Sequence, residues 1–373
     1  MKNIYPPSNT LSPEQQELLT KTLNSFCEKF QFNQVEIGPL HTPITFEFYK
    51  KWIDQNFQAS MTYLKNHSDL KETPQKINPR FQSVITLAQP YFPTPFPLAN
   101  KPPARVALYA QNIDYHFWLK DKLNQIIDEL KNLYPEHIFQ PYVDSGPVLE
   151  RNWGYENGLG WFGKNTCLIH PKKGSLFFIA EILTSLELNT NNQTQSSQPL
   201  ADFCGQCQKC IEVCPTQALI EPRVLKSERC ISFLTIESKS PPPIELREKL
   251  GDWFFGCDLC QTVCPWNFKI FKNHQALNQP TSSTQSKLDL TSNDEAELIS
   301  YFRWLLTSSH KQIDKTIKNS PLARTGAKGL KRNALVVIGN RQLTQLRHEV
   351  ESLNLTELEE LKQWTLRKLL TDL

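Results

Sequence analysis

The sequence predicts a chain of three parts: a mixed α/β domain, a short cysteine-rich module and an all-helical C-terminal domain. In the first part, short apolar runs typical of strands are interspersed with longer amphipathic patterns typical of helices. Eight of the ten cysteines then lie between Cys204 and Cys264. Toward the C-terminus the apolar residues recur at helical spacing. We therefore expect domains at residues 1–200, 201–275 and 285–373.

Length, composition and charge limit the class of protein. The 373 residues suffice for more than one domain, and no apolar run approaches the ~20 residues of a membrane helix. The first residues, Met1 to Pro7, lack the apolar core of a signal peptide. We therefore expect a cytoplasmic protein with reduced thiols, and nothing in the sequence requires more than a monomer. The net charge of +3 does not by itself indicate a partner.

The elements of the first part follow in order. Ser12 and Gln15 form a capping box that predicts a helix running to about Lys29. Periodicity predicts a second long helix from about Asp114 to Leu133. Short apolar runs predict strands at Ser83–Ala88, Ala104–Ala110, Ile138–Val143, Thr166–His170 and Ser175–Leu183. Proline-rich or polar runs predict loops over residues 90–103, 189–198 and 278–286.

The cysteine-rich module carries the most specific motif. It opens with a C-x2-C-x2-C-x3-C-P run ending at Pro215, and it closes with a C-x2-C-x3-C-P run ending at Pro265. The first run has the spacing of bacterial two-cluster ferredoxins, in which the fourth cysteine ligates the other cluster. The sequence therefore predicts two [4Fe-4S] clusters with crossed ligands. Cluster 1 takes Cys204, Cys207, Cys210 and Cys264, and cluster 2 takes Cys214, Cys230, Cys257 and Cys260.

Two alternatives for these cysteines fit the spacing less well. Disulfides are possible, but dense C-x2-C spacing without a signal peptide is more typical of metal binding. Zinc sites usually use C-x2-C pairs, without a third closely spaced cysteine or a trailing Cys-Pro.

Two segments of the first part are candidates for ligand chemistry. The strand that ends at Val143 runs into Asp144 and turn residues, and α/β sheets often place ligand chemistry at such strand ends. A helix-capping role for Asp144 is equally compatible with the sequence. The segment Gly158–Asn165 has three glycines that allow close backbone approach and two aromatic residues that can form an apolar wall. It matches neither a Walker loop nor G-x-G-x-x-G.

The C-terminal part is predicted to be helical and locally basic. Helices are expected over Asp294–Leu306, Ala327–Ile338 and Thr356–Leu370, the last with Thr356 and Glu359 as a capping box. Seven basic residues stand against one acid, Asp314, over 311–332. They form either a solvated helical face or a surface for a phosphate backbone. These residues are Lys311, Lys315, Lys318, Arg324, Lys328, Lys331 and Arg332.

Several motifs occur in one order along the chain. They are Val-Asp-Ser-Gly-Pro at 143–147, Gly-Leu-Gly-Trp-Phe-Gly-Lys-Asn at 158–165, Gly-Ser at 174–175, the first cysteine run, Cys-Ile-Ser-Phe-Leu-Thr-Ile-Glu at 230–237 and Phe-Gly-Cys-Asp-Leu-Cys-Gln-Thr-Val-Cys-Pro-Trp-Asn at 255–267. Together they resemble the epoxyqueuosine reductases, cobalamin-dependent enzymes that complete the queuosine base at the wobble position of certain tRNAs. Residues 320–333 and 338–340 resemble the helical-repeat tail of that family. The match covers most of the chain from about Met61 onward.

The resemblance implies a fold, cofactors and partners. It implies an α/β cobalamin-binding domain similar to nitroreductases and reductive dehalogenases, a ferredoxin-like module with two [4Fe-4S] clusters, and a HEAT-like helical domain that binds tRNA. The implied partners are tRNA carrying epoxyqueuosine and an external electron donor. Cobalamin is expected in its base-off form without a protein ligand to cobalt, and no D-x-H-x-x-G segment of histidine-ligated cobalamin is present.

The resemblance also assigns site residues. Asp144 aligns with the proton donor of the family. The implied cobalamin contacts are Lys71, Ala107, Asp144, Lys164, Ser175, Ser232, Cys257 and Asp258. The family commonly has an arginine where Lys71 stands, and this departure puts a contact there in doubt. The implied tRNA contacts are Lys239, Arg324, Lys328, Lys331 and Arg332.

The implied reaction removes the epoxide oxygen to leave an alkene, which takes two electrons and protons. Clusters pass electrons singly, cobalamin collects them, and Asp144 is expected to protonate the departing oxygen. A free aspartate has a pKa of ~3.9, so keeping its proton at pH 7 requires a rise worth roughly 4 kcal/mol. We therefore expect Asp144 to be buried.

Three other classes of protein remain as alternatives. A reductive dehalogenase-like enzyme acting on a small molecule is disfavoured by the helical tail and by the lack of an export signal. A simple electron-transfer protein leaves the residues before Cys204 unexplained. A nucleic-acid-binding protein with structural clusters is the third. Visible absorption with added cobalamin separates the dehalogenase-like enzyme, which binds cobalamin, from the other two alternatives. Turnover of tRNA carrying epoxyqueuosine separates the dehalogenase-like enzyme from the expected epoxyqueuosine reductase.

Overall fold

The computed structural model describes residues 12–92, 98, 101–187, 199–273 and 294–370, so the loops predicted at 189–198 and 278–286 lie outside the described residues. The chain divides into two compact units. The sheet unit comprises Met1–Asn56, Thr62–Tyr91 and Tyr115–Cys207, and the helical unit comprises Phe57–Met61, Phe92–Asp114 and Gln208–Leu373. The three domain boundaries expected from the sequence stay a prediction.

The secondary structure is a mixture of helices and strands. The helices are α1 (Pro13–Phe30), α2 (Phe46–Asp54), α3 (Thr62–Asn66), α4 (Ser68–Glu72), α5 (Tyr115–Leu133), α6 (Glu150–Glu156), α7 (Lys209–Glu212), α8 (Ile231–Ile236), α9 (Ile244–Arg247), α10 (Leu259–Thr262), α11 (Pro265–Asn273), α12 (Glu295–Thr307), α13 (His310–Ile317), α14 (Gly326–Arg341), α15 (Arg347–Glu351) and α16 (Glu359–Lys368). The strands are β1 (Gln34–Pro39), β2 (Ser83–Pro90), β3 (Arg105–Val106), β4 (Phe139–Tyr142), β5 (Trp161–Phe162), β6 (Leu168–Ile169), β7 (Phe177–Thr184), β8 (Leu219–Glu221), β9 (Val224–Leu225) and β10 (Trp253–Phe255).

The sheet unit is built on four strands in the order β1-β2-β7-β4, with every neighbouring pair antiparallel. Side chains alternate between the two faces of such a sheet. Val84 of β2 packs with Trp153 of α6, so α6 covers one face. Phe178 of β7 stacks on Tyr115 of α5, so α5 covers the other. Because the sheet is antiparallel, the strand-end rule of parallel α/β sheets does not explain the position of Asp144.

The helical unit is organised around β10 and the long helix α14. Strand β10 pairs in parallel with β3, and α14 packs against β10, α8, α13 and α16. One hydrophobic core includes Phe254 of β10, Phe302 of α12, Leu335 of α14 and Leu361 of α16. The short strand of the cysteine-rich region and the C-terminal helices therefore share a core.

Most predicted elements are confirmed. Helix α1 begins with the Ser12 capping box, and the long helices α5, α12 and α14 lie where periodicity predicted them. The strand predicted over Ala104–Ala110 is limited to β3, because Leu108–Gln111 forms a 3-10 helix. The capping box predicted at Thr356 is wrong: a 3-10 turn occupies Thr356–Leu358, and no side chain caps α16. Among the described helices, none has the length and apolar character needed to cross a membrane.

Candidate functional site

The two cysteine runs adopt the same local form. In each, a C-x2-C segment leads into a one-turn helix, α7 or α10, which is followed by Cys-Pro, and α7 packs against α10. Cys210 lies within α7 and Cys260 within α10. All ten cysteines, every one in the described part of the chain, are free thiols, so no disulfide ties them together.

The thiols assigned to cluster 2 come from three separate elements of the helical unit. Burial raises the pKa of Cys230 and Cys257, and nearby thiols raise these pKa values further: Cys214 acts on both, and Cys230 acts on Cys257. Grouped, partly buried thiols fit an iron–sulfur cluster, which binds thiolates and neutralises their charge. Within the described residues, no three potential ligands converge closely enough for a single metal ion.

Hydrogen bonds to sulfur are present at Cys214. The backbone N–H of Ala218 donates to Cys214 Sγ at 3.3 Å, and Thr216 Oγ1 lies 3.5 Å from the same sulfur. Such hydrogen bonds are one of the means by which proteins tune cluster potentials.

The four cysteines assigned to cluster 1 lie in both units. In the sheet unit, the N–H of Cys207 donates to the carbonyl of Cys204, and Lys164 Nζ donates to the carbonyl of Gly205 at 2.7 Å. In the helical unit, Cys210 belongs to α7 and Cys264 follows α10. Their assignment to one cluster stays a prediction.

The helical unit brings together four of the predicted cobalamin contacts. The N–H of Ala107 donates to the carbonyl of Phe255, and the N–H of Leu108 donates to the buried Asp258 carboxylate at 2.6 Å. Ser232 lies on α8, whose Thr235 hydroxyl accepts from the N–H of Gly256. Cys257 directly follows Gly256 in the sequence. Ala107, Ser232, Cys257 and Asp258 therefore surround the end of β10. Burial raises the pKa of Asp258 to about 6, although its hydrogen bond to Leu108 acts in the opposite direction.

The sheet unit holds the other predicted contacts, all buried except Asp144. Lys71 Nζ donates to Tyr49 Oη at 2.9 Å and to the carbonyl of Leu64. Burial lowers the pKa of Lys71. Lys164 is engaged with the carbonyl of Gly205, and the buried Ser175 directly precedes Leu176 at the entry to β7. The structure therefore gives Lys71 and Lys164 protein partners, and their contacts with cobalamin stay predictions.

Asp144 is exposed, so the burial expected from the sequence is wrong. Its side chain is 65% exposed and lies in the loop after β4, with a backbone φ of 51°. The hydroxyl of Tyr115 donates to Asp144 Oδ2, and His116 Nε2 lies 4.0 Å from the same oxygen. The carboxylate thus reaches the start of α5 at the protein surface, where side chains supply little of the desolvation that a permanently protonated aspartate requires.

Two carboxyl groups with raised pKa values, the partly exposed Glu150 and the buried Glu181, were not predicted. Burial, followed by the charge of Asp144, raises the pKa of Glu150 to about 7. Burial, followed by the charge of Glu150, raises the pKa of Glu181 well above its usual range. A signal existed for Glu181, because it is the one charged residue in the apolar strand Phe177–Thr184.

The predicted tRNA contacts fall into two groups. Lys239, Arg324 and Lys328 reach the surface of the helical unit, although Arg324 pairs with Glu237 and Lys328 with Glu357. Lys331 and Arg332 are buried, and the structure contradicts their assignment as direct phosphate contacts. Lys331 Nζ donates to the carbonyls of Leu306 and Ser308, and Arg332 donates to those of Thr235 and Ser238.

Comparisons with known proteins bear on both the cysteine-rich region and the whole chain. A family model described as a 4Fe-4S double cluster binding domain matches residues 203–267, and one described as epoxyqueuosine reductase QueG, DUF1730, matches residues 71–145. The epoxyqueuosine reductase of Cyclobacterium marinum is 34% identical over 76% of this chain and 85% of its own length. That of Pseudomonas aeruginosa is 33% identical over 91% of this chain and 90% of its own length.

The fold has also been seen in solved structures. A crystal structure of epoxyqueuosine reductase with an epoxyqueuosine-modified tRNA-Tyr stem loop matches with a TM-score of 0.75 and 23% identity. The match covers 95% of this chain and 91% of that chain, and at this identity it establishes the shared fold alone.

The mixed α/β fold and the double cluster domain define an iron–sulfur oxidoreductase. Relatives above 30% identity cover most of the chain. The chain belongs to the epoxyqueuosine reductase family.

Proposed function

We propose that this chain reduces epoxyqueuosine to queuosine at the wobble position of tRNA. The observation that carries the proposal is the match to an epoxyqueuosine reductase over 91% of the chain and 90% of that protein's own length. A solved structure with the same fold is that of an epoxyqueuosine reductase with an epoxyqueuosine-modified tRNA stem loop, which supports tRNA as the substrate class.

The residues of the helical unit suit a broad cofactor such as cobalamin. Ala107, Ser232 and Cys257 lie around the end of β10, where Gly256 has no side chain and Ala107 therefore packs closely against it. The Asp258 carboxylate is already satisfied by the N–H of Leu108. In the sheet unit, Lys71, Lys164 and Ser175 are the proposed contacts. When bound, the clusters supply single electrons and cobalamin supplies a strongly reducing cobalt centre.

Asp144 is the proposed proton donor to the oxygen that leaves the epoxide. The reaction consumes two electrons and two protons and releases the oxygen as water. The Tyr115 hydroxyl donates to one carboxylate oxygen, which fixes the direction of Asp144 and leaves its second oxygen to face the substrate. A positioned general acid contributes about 10²–10⁴-fold to a rate.

The tRNA is proposed to bind through exposed cations of the HEAT-like C-terminal helices. Lys311, Lys315 and Lys318 are exposed, and no ion pair is formed by these three in the described part of the chain. To reach the reacting centre, the modified base must leave its stack in the anticodon loop. An external electron donor, a monomeric chain and a cytoplasmic location complete the proposal.

The decisive experiment uses the anaerobically reconstituted protein with both clusters, cobalamin and a chemical reductant. Incubation with tRNA carrying epoxyqueuosine should yield queuosine, seen by mass spectrometry of the nucleosides as the loss of one oxygen. A Cys230→Ser variant, which removes a proposed ligand of cluster 2, should be inactive. Unchanged epoxyqueuosine with the fully loaded wild-type protein would reject the proposed function.

A further inference from the structure

Three aromatic rings of the sheet unit form a column that ends beside Asp144. The Tyr115 ring is stacked on the Phe178 ring of β7, with the centroids 4.1 Å apart and the planes inclined by 16°. The His116 ring is stacked on Tyr115, with the centroids 4.2 Å apart and the planes inclined by 28°. Two rings at these distances would overlap on one face of Tyr115, so Phe178 and His116 lie on its opposite faces.

The column is packed into the sheet unit at one end and open at the other. Tyr115 is 6% exposed, and Phe178 also contacts the rings of Tyr91 and Trp118. The side chain of His116, by contrast, is 41% exposed. Because Tyr115 covers one face of the His116 ring, the exposed area belongs to the opposite face and to the ring edge. The column therefore presents its last ring to solvent.

The stability of α5 does not explain a histidine at this position. His116 is the second residue of the helix, and histidine has a low helix propensity. The helix dipole favours anions in the first turn, so an imidazole that can become a cation gives the helix no advantage there. The position of His116 is better explained by the ring that it presents.

The exposed ring lies next to the proposed proton donor. His116 Nε2 is 4.0 Å from Asp144 Oδ2, and the Tyr115 hydroxyl donates to the same oxygen. The last two rings of the column therefore both reach the carboxylate that is proposed to meet the substrate. A planar group stacked on His116 would lie beside Asp144.

A wobble base that has left the anticodon loop is such a planar group. It loses the stacking on its neighbours, and RNA-binding proteins replace that stacking with aromatic side chains, histidine included. Stacking of one base on an aromatic side chain typically strengthens binding by about 5- to 150-fold.

We propose that His116 is the stacking platform for the wobble base and places the epoxide-bearing substituent of that base beside Asp144. The inference rests on the proposed function and deepens it, because it names a residue that recognises the substrate at the same site. His116 contacts the base through the face of its ring, and Asp144 remains the source of the proton. His116 itself transfers neither a proton nor an electron.

The test separates the ring of His116 from its nitrogen atoms. His116→Phe keeps an aromatic ring, whereas His116→Gln keeps a polar group and loses the ring. The affinity for an anticodon stem loop carrying epoxyqueuosine is measured with protein that holds both clusters and cobalamin. His116→Phe should bind within about threefold of wild type, and His116→Gln should bind about fivefold or more weakly. Lys120→Gln, at an exposed position one turn further along α5, is the control and should bind as wild type does.

A second stem loop, with an abasic nucleotide at the wobble position, identifies the base that is stacked. Wild type and His116→Gln should bind this loop equally, because the partner of the ring has been removed. A His116→Gln defect that persists with the abasic loop would overturn the proposal. Equal affinities of wild type, His116→Phe and His116→Gln for the modified loop, or equal losses in the two variants, would also overturn it. Wild type that passes these binding tests but leaves epoxyqueuosine unchanged would reject the proposed function instead.

Discussion

At the residue scale, Asp144 combines an uncommon backbone conformation with an exposed carboxylate. Its φ of 51° lies in the left-handed region, which asparagine and aspartate tolerate better than other residues with a side chain. The Tyr115 hydroxyl holds one of its oxygens. The local geometry therefore allows Asp144→Asn to remove the acid while keeping the loop in place.

Asp144→Asn should lower single-turnover reduction of epoxyqueuosine by about 10²-fold or more, because an amide cannot donate a proton as a carboxylic acid does. Iron content and the visible absorption of bound cobalamin should be unchanged. Asp121→Asn, at an exposed position on α5, is the matched control. Turnover by Asp144→Asn within threefold of wild type would contradict the role of Asp144 as proton donor.

Arg332 illustrates a residue whose role depends on distant parts of the chain. It is 1% exposed, and its guanidinium donates to the carbonyls of Thr235 and Ser238 in and after α8. Asn333 beside it donates to the carbonyls of Thr235 and Phe254. These hydrogen bonds join α14 to the segments that carry Ser232 and Cys257.

Replacing Arg332 with Met should therefore reduce stability rather than tRNA recognition. Removing a charged donor from buried acceptors costs about 3 kcal/mol, so the denaturation midpoint of the holoprotein should fall. Below that midpoint, the salt dependence of tRNA affinity should match wild type. Lys311→Met, at the surface, should leave the denaturation midpoint unchanged and should weaken the salt dependence of tRNA affinity. A weaker salt dependence for Arg332→Met with unchanged stability would restore Arg332 as a phosphate-binding residue.

At the scale of elements, the sequence predicts those helices whose positions depend on local interactions such as capping and amphipathic periodicity. The Ser12 capping box and the periodic apolar residues of α5 and α14 specify helices that tertiary packing does not alter. The run at Ala104–Ala110 was apolar enough for a strand, yet it turns after Val106. There the Asp258 carboxylate accepts from the N–H of Leu108, a hydrogen bond between residues far apart in sequence.

In the candidate site, too, the residues in local motifs were predictable, and the features that depend on tertiary contacts were not. Asp144 and the cysteines were found because their spacing is a local property of the chain. The burial of Lys331 and Arg332 could not be predicted, since a basic helix has the same sequence pattern whether its cations face solvent or backbone carbonyls. The burial of Glu181 opposite Tyr142 also depends on strand register, which the local sequence does not specify.

Helix α13 presents the basic surface that remains after these corrections. Lys311 and Lys315 are one turn apart, and Lys318 directly follows the helix. Changing all three to Glu should weaken tRNA binding and should reduce the slope of log affinity against log salt by about 0.7–0.9 for each phosphate that is no longer neutralised. Titrations at several salt concentrations measure this. Lys120→Glu with Lys131→Glu, on exposed positions of α5, is the control. An unchanged slope in the triple variant would exclude α13 from the tRNA surface.

At the scale of the whole molecule, the buried carboxyl group of Glu181 couples the stability of the sheet unit to pH. Burial raises the pKa of Glu181 well above the 4.5 of a free glutamate, so the folded chain keeps a proton that the unfolded chain releases. A raised folded-state pKa gives stability that is complete below about pH 4.5 and declines as pH rises toward the folded-state pKa. The decline is at most about 1.4 kcal/mol per pH unit for one group.

Glu181→Gln should remove this decline, because a neutral amide has no proton to retain. Between about pH 5 and pH 8, the protection of β7 amides against hydrogen exchange should fall in wild type and fall less in the variant. Peptides from β7 report the opening of the sheet itself, which a global transition of a two-unit chain with clusters does not. Glu136→Gln, at an exposed position before β4, should keep the wild-type slope. Parallel slopes in wild type and Glu181→Gln would mean that Glu181 is already ionised in the folded chain.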